Sequence, residues 1–136
     1  MVKHHGVPFL EKKQKSLIIN ESNKNDIKKI LGNPSTKSKF DNDVWIYIER
    51  KITNTHFLGK RKLIVNNVLV LEIDERGLLA KVDFYNIENM NKIEFDKSRT
   101  EITYRKRSFI YDFLSSMRQK ANDPLGVRKK RREEGQ

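Results

Sequence analysis

The chain has 136 residues, with 29 Lys and Arg against 18 Asp and Glu, a formal net charge of +11. It holds no cysteine, which excludes a disulfide framework, Cys-ligated zinc and a thiol nucleophile. No apolar run approaches the roughly 18 to 20 residues that cross a bilayer, and so large an excess of cations suggests an anionic partner.

The first residues, Met1 to Gly6, lead into Val7-Pro8-Phe9-Leu10 and then Glu11-Lys12-Lys13. Four apolar residues with a proline among them are too short for a secretory signal. Read alone, this start points to the cytoplasm. His4 and His5 are adjacent and His56 is distant, which is no metal-binding spacing. Residues 1–16 read as a flexible segment, with one helical turn over 11–16.

After Leu17-Ile18-Ile19, the stretch from Asn23 to Pro34 predicts a short helix with both ends marked. Asn23 is a good N-cap and Asp26 places negative charge at the positive end of the dipole. Ile27, Ile30 and Leu31 share one face. Gly32 suits the left-handed position after a helix, and Pro34 blocks continuation. Residues 35–42 read as a polar loop.

Val44 to Ile52 predicts a strand, with Trp45 and Tyr47 on one face and Val44, Ile46 and Ile48 on the other. Both faces begin apolar, so the strand is central or covered on both sides. A loop with Phe57, Gly59, Lys60 and Arg61 follows. Leu63 to Ile73 predicts a second strand whose apolar alternation Asn67 interrupts. Asp74-Glu75-Arg76-Gly77 is a hairpin turn. Leu78, Ala80, Val82 and Phe84 alternate on a third strand.

Residues 86–107 are polar, with a short strand expected at Glu101–Tyr104. Ser108 is a candidate cap for a second helix with the stripe Phe109, Ile110, Phe113, Leu114 and Met117. Asn122-Asp123-Pro124 ends it. The basic tail, 125–136, is expected to be disordered. The fold class is α+β: short helices on a three-stranded antiparallel meander, plus a C-terminal helix, arranged in two layers. The domain organisation is a lead at 1–16, an α+β domain at 17–85, a polar extension with its helix at 86–124, and the tail.

Chemistry-bearing motifs are missing. There is no P-loop, G-x-G-x-x-G, G-x-S-x-G or H-E-x-x-H. Glu49, Glu72, Asp74 and Asp83 read as strand-surface and turn residues rather than catalytic carboxylates, which need a cleft and a partner. A non-enzymatic role without catalytic residue, cofactor or metal is expected. Two basic clusters adjoin aromatics: Lys60-Arg61-Lys62 after Phe57, and Arg105-Lys106-Arg107 after Tyr104. They keep a small nucleic-acid-binding protein as the alternative. No RNP, KH or helix-turn-helix pattern accompanies them, and the other lysines are spread along the chain.

Three blocks, in order and at matching spacing, resemble the SmpA/OmlA family of small outer-membrane lipoproteins. They are a capped helix ending in Leu31-Gly32-Asn33-Pro34, a Trp-x-Tyr strand at Trp45-Ile46-Tyr47, and a strand–turn–strand around Asp74 and Gly77. The resemblance spans about Ile19 to Tyr85, and the remainder looks like the extension of alphaproteobacterial members. It implies a helix layer on a three-stranded sheet. It also implies a lipidated N-terminal Cys in the inner leaflet of the outer membrane, and a place on the periplasmic face. The implied role is to assist the β-barrel assembly machinery by contacts with its other subunits and with anionic phospholipid headgroups. A lipidated Cys would require the reading frame to begin upstream of Met1. The motif residues have scaffold roles, so the expected contacts lie elsewhere: Phe57, Lys60 and Arg61 in the strand loop, and Arg105, Lys106 and Arg107 before the second helix.

Overall fold

A computed structural model describes residues 2–55, 60–87 and 101–122. The elements are β1 (Val2–Gly6), α1 (Leu10–Gln14), α2 (Lys24–Leu31), β2 (Thr36–Lys39), β3 (Asp43–Thr55), β4 (Lys60–Ile73), β5 (Leu79–Asn86) and α3 (Glu101–Asn122). The predicted meander is present as β3-β4-β5, antiparallel throughout. The sheet is wider than expected, because two further strands share the outer edge of β3. β2 pairs with Asp43–Ile46 and β1 with Glu49–Thr53. Between them, the Ser35 and Val7 amides donate to the Ile46 and Ile48 carbonyls, at 2.8 and 2.9 Å. The edge is thus closed along most of its length, which removes a template for uncontrolled pairing.

Both added strands fall where a loop and a flexible lead were expected. Neither carries an apolar alternation of its own. Their pairing follows from the open edge of a long central strand. Gly6 allows the closest approach, since a Cβ there would collide with the Ile48 carbonyl oxygen.

The apolar residues form two clusters, one on each face of the sheet. On one face Trp45, Tyr47, Leu69, Leu71, Ile73 and Leu79 pack under Leu10, Leu17, Ile27 and Leu31 of the α1–α2 side. On the other, Val44, Ile46, Val68 and Val70 meet Ile87, Leu114 and Met117, with Phe109, Ile110 and Phe113 alongside. Phe40 joins this second cluster, its ring 5.8 Å from that of Phe109. The arrangement is therefore three-layered, α1/α2 on sheet on α3, and not the two layers expected. The doubly apolar β3 is explained by it.

α2 closes as its sequence predicts, and more completely. The Asn23 side chain accepts from the Asp26 amide at 2.9 Å, and the Asp26 carboxylate accepts from the Asn23 amide at 3.0 Å. Gly32 is the C-cap, at φ 78° and ψ −158°. That is a region glycine alone occupies comfortably, though not the left-handed helical one expected. Tyr47 then fixes the helix to the sheet, its hydroxyl donating to the Gly32 carbonyl at 2.8 Å. The hairpin turn is also as predicted. Asp74 accepts from the Arg76 and Leu78 amides, and Gly77 donates to the Asp74 carbonyl at 2.9 Å.

The third strand keeps Val82 and Phe84 on the predicted face and departs from its pattern only at its start. A bulge between Glu72 and Ile73 places Leu79, not Leu78, opposite Ile73 in the core. A single extra residue transfers a side chain to the other face. α3 begins seven residues before Ser108, so Glu101–Tyr104 is helical and Ser108 lies inside the helix. Its stripe is nevertheless the predicted one. The tail, 125–136, lies outside the described residues.

Candidate partner and lipid contact surface

The structure separates the six expected contact residues. Phe57 lies outside the described residues. Lys60 and Arg61 belong to β4, where their backbones pair with Thr55 and Asn54. They are thus in the hairpin strand and not in the loop. Arg105, Lys106 and Arg107 lie within α3 and not before it. Arg105 is exposed, and Arg107 is half-buried and engaged in an interaction.

Lys106 is corrected from a surface contact to a buried one. It is 9% exposed, and its ammonium donates to Glu72 Oε1 at 2.8 Å and Asp41 Oδ1 at 3.1 Å. Burial alone would lower its pKa. The Glu72 and Asp41 carboxylates outweigh that and raise it. Glu72 is 6% exposed and also lies 4.0 Å from Lys81, which reaches Asp83 at 3.5 Å. Helical spacing explains the placement. Lys106 stands three and seven residues before Phe109 and Phe113, on the face that meets the sheet.

Glu49 is the second correction, because it is buried at 7% exposure and is no strand-surface residue. It lies on the Trp45–Tyr47 face of β3 and receives three donors. The Phe9 amide donates to Oε2 at 2.9 Å, the Leu10 amide to Oε1 at 3.1 Å, and His4 Nε2 stands 3.1 Å from Oε2. Burial raises its pKa, but these donors more than offset that and hold the carboxylate below its usual range. Glu49 thereby supplies the cap that Phe9, the N-cap position of α1, does not supply from its own side chain.

Phe9 itself is unusual. Its φ of 57° and ψ of 41° are left-handed, which costs a non-glycine residue roughly 1–2 kcal/mol. The residue is 68% exposed, so little burial offsets that cost. Beside it lies a cleft of about 500 Å³, bounded by α1 on one side and by Lys51, Val65 and Asn67 of the sheet on the other. Lys12 and Lys15 stand on its α1 rim. None of these three lysines forms an ion pair with a described residue. Asn67 is 7% exposed and its Oδ1 has no hydrogen-bond partner. Sequence reading missed this cleft. Its only signals were a carboxylate and an asparagine on otherwise apolar strand faces.

The motif residues have structural work. Trp45 is buried under α2, with Lys28 and Lys37 ammonium groups 5.6 and 5.1 Å from its ring centroid. Burial pushes the Tyr47 hydroxyl pKa up, keeping it a donor to Gly32. Leu31 is core, and Pro34 follows the C-cap. Among the described residues no cluster of His, Asp and Glu could hold a metal, and no described helix is long and apolar enough to cross a membrane.

Compared with known proteins, residues 9–83 match the family model of the outer membrane protein assembly factor BamE domain. The match takes in α1, α2, β2, β3, β4 and most of β5, and so includes Glu49, the cleft residues other than His4, and the residues that mark the three sequence blocks. No curated protein and no solved structure matches significantly.

Proposed function

Because the chain belongs to the BamE family, accessory factors of outer-membrane protein assembly associated with the outer membrane, we propose that it acts by binding alone, at the periplasmic face. In this reading it is a rigid scaffold that contacts other subunits of the β-barrel assembly machinery and anionic phospholipid headgroups. The family match carries the reading. The structure supports it physically. The buried ionisable groups are held in structural bonds, Glu49 as a cap and Lys106 with Glu72 as a tie, as suits a scaffold.

Lipid attraction draws on Arg105 and on the hairpin pair Lys60 and Arg61. Each cation near an anionic surface adds about 1 kcal/mol, falling off within a Debye length. Phe57, three positions before Lys60 in the sequence, is the proposed apolar contact. Co-purification tests the subunit contacts: the chain should be recovered from outer-membrane fractions with machinery subunits. Recovery only from the cytosol would overturn the proposal. Flotation tests the lipid contacts. The chain should rise with vesicles containing phosphatidylglycerol and not with neutral ones, and K60E/R61E/R105E should reduce this severalfold. Salt-sensitive retention on DNA, with no vesicle binding, would favour the nucleic-acid alternative.

A further inference from the structure

We propose that the cleft between α1 and the β3–β4 pair is a docking site for a partner-protein segment that alternates acidic and apolar residues. The lysines fix the charge of the occupant. Lys12, Lys15 and Lys51 converge on the cleft without a carboxylate of their own. The acids that share it do not neutralise them by contact. Glu49 is held by the Phe9 and Leu10 amides and His4, and Glu11 forms no ion pair with a described residue.

Phe9 and Val65 give the cleft apolar walls, and Phe9 holds an exposed ring in a backbone conformation that its side chain disfavours. A strained, solvent-facing aromatic gains nothing for the isolated fold. It is understandable as a contact completed by another molecule. Asn67 supplies the polar group. It lines the cleft, a carboxamide holds both a donor and an acceptor as a peptide unit does, and its buried Oδ1 has no partner among the described residues. The volume lies within the roughly 300–1,000 Å³ of ordinary ligand pockets. A flat bilayer would meet the lysines but not the concave wall between Phe9 and Asn67. An extended segment with side chains meets both.

This inference rests on the reading of the chain as a binding protein, but it uses none of the residues assigned to lipid above. The test is fluorescence anisotropy of the full chain with a short labelled peptide alternating Asp or Glu with Leu or Phe. A control peptide carries Lys in place of the acids. Wild type should bind the acidic peptide and not the control. K12E/K15E/K51E should weaken binding tenfold or more, since charge complementarity sets specificity. Phe9→Gly should weaken it about fivefold while leaving the fold intact, because glycine accepts this φ. Phe9→Asn, also tolerated there, is the second check. Wild-type affinity in these variants, or no binding of the acidic peptide, would overturn the site. So would loss of phosphatidylglycerol vesicle binding in the same variants without any peptide binding, which assigns the cleft to the membrane. Failure of the membrane reading alone would instead show as peptide binding without flotation.

Discussion

Each face of the sheet buries charge beneath a helix, and the two sites are satisfied by opposite means. On the α3 face, Lys106 is met by full charges, the carboxylates of Glu72 and Asp41. On the α1 face, Glu49 is met by two backbone amides and a histidine. The first arrangement couples two desolvated ions, so losing either leaves the other stranded. The second uses partial charges already fixed at a helix start, so its loss uncaps a turn but strands no ion. The α3 tie should therefore be the stronger on mutation and the α1 cap the more sensitive to acid.

Lys106→Met breaks the comparison most directly. It leaves the buried Glu72 with Lys81, at 4.0 Å, a longer contact than the 2.8 Å it loses. Removing one partner of a buried pair costs about 3 kcal/mol or more. Urea unfolding should show that loss, and Lys106→Met/Glu72→Met should recover most of it. A loss below about 1 kcal/mol would mean that Lys106 behaves as a surface pair.

Glu49→Gln comes next. The amide keeps one acceptor but turns an NH₂ toward a backbone N–H, leaving the Phe9 or Leu10 donor unsatisfied. The expected loss is about 2 kcal/mol. Amide exchange at Leu10 should quicken while that of β4 is little changed. Uniform quickening would show that α1 is not an independent unit.

The pH response sharpens the same contrast. Glu49 is held below its ordinary value of 4.5, so its contribution is complete above that value. It is lost as pH falls through the lower folded value, since the unfolded chain then binds the proton more readily. Lys106 has the opposite sign. Its folded pKa is raised, so its contribution is complete below the ordinary 10.5 and is lost only as pH rises through the folded value. Acid should thus loosen α1 through Glu49 while Lys106 stays charged. Asp41, lowered chiefly by the Asn42 amide, adds a smaller acid effect on the α3 face, where its side chain is half exposed. In Glu49→Gln the acid limb of a stability–pH curve should flatten. An unchanged limb would remove Glu49 from its cause.

What the sequence made legible, and what it did not, follows the range of the forces involved. α2, the Asp74–Gly77 turn and the two-faced β3 were readable because caps, turn residues and side-chain alternation act within a few residues. β1 and β2 were not, since their polar residues join the sheet only because β3 offers an edge. Leu79 was misplaced by a bulge that no local pattern marks. Lys106 looked like part of a basic surface run until the helix was known to begin at Glu101. Glu49 did leave a trace, an acid following Trp45 and Tyr47 on one face. Only the arrival of His4, Phe9 and Leu10, some forty positions earlier in the chain, turns it into a cap.

The smallest expected effect lies at Trp45, the lone tryptophan of the chain. Lys28 comes from α2 and Lys37 from β2, and both ammonium groups lie over its ring. Such contacts contribute about 0.5–1 kcal/mol at exposed sites. Lys37→Met keeps an apolar stem over the ring and removes only the charge, so the loss should be about 0.5 kcal/mol. Because one fluorophore reports the site, its emission should shift with little change in the unfolding midpoint. A loss as large as that of Tyr47→Phe, about 1 kcal/mol for its bond to Gly32, would mean that the cation pins β2 to the sheet. The edge of β3 would then depend on charge as much as on backbone pairing.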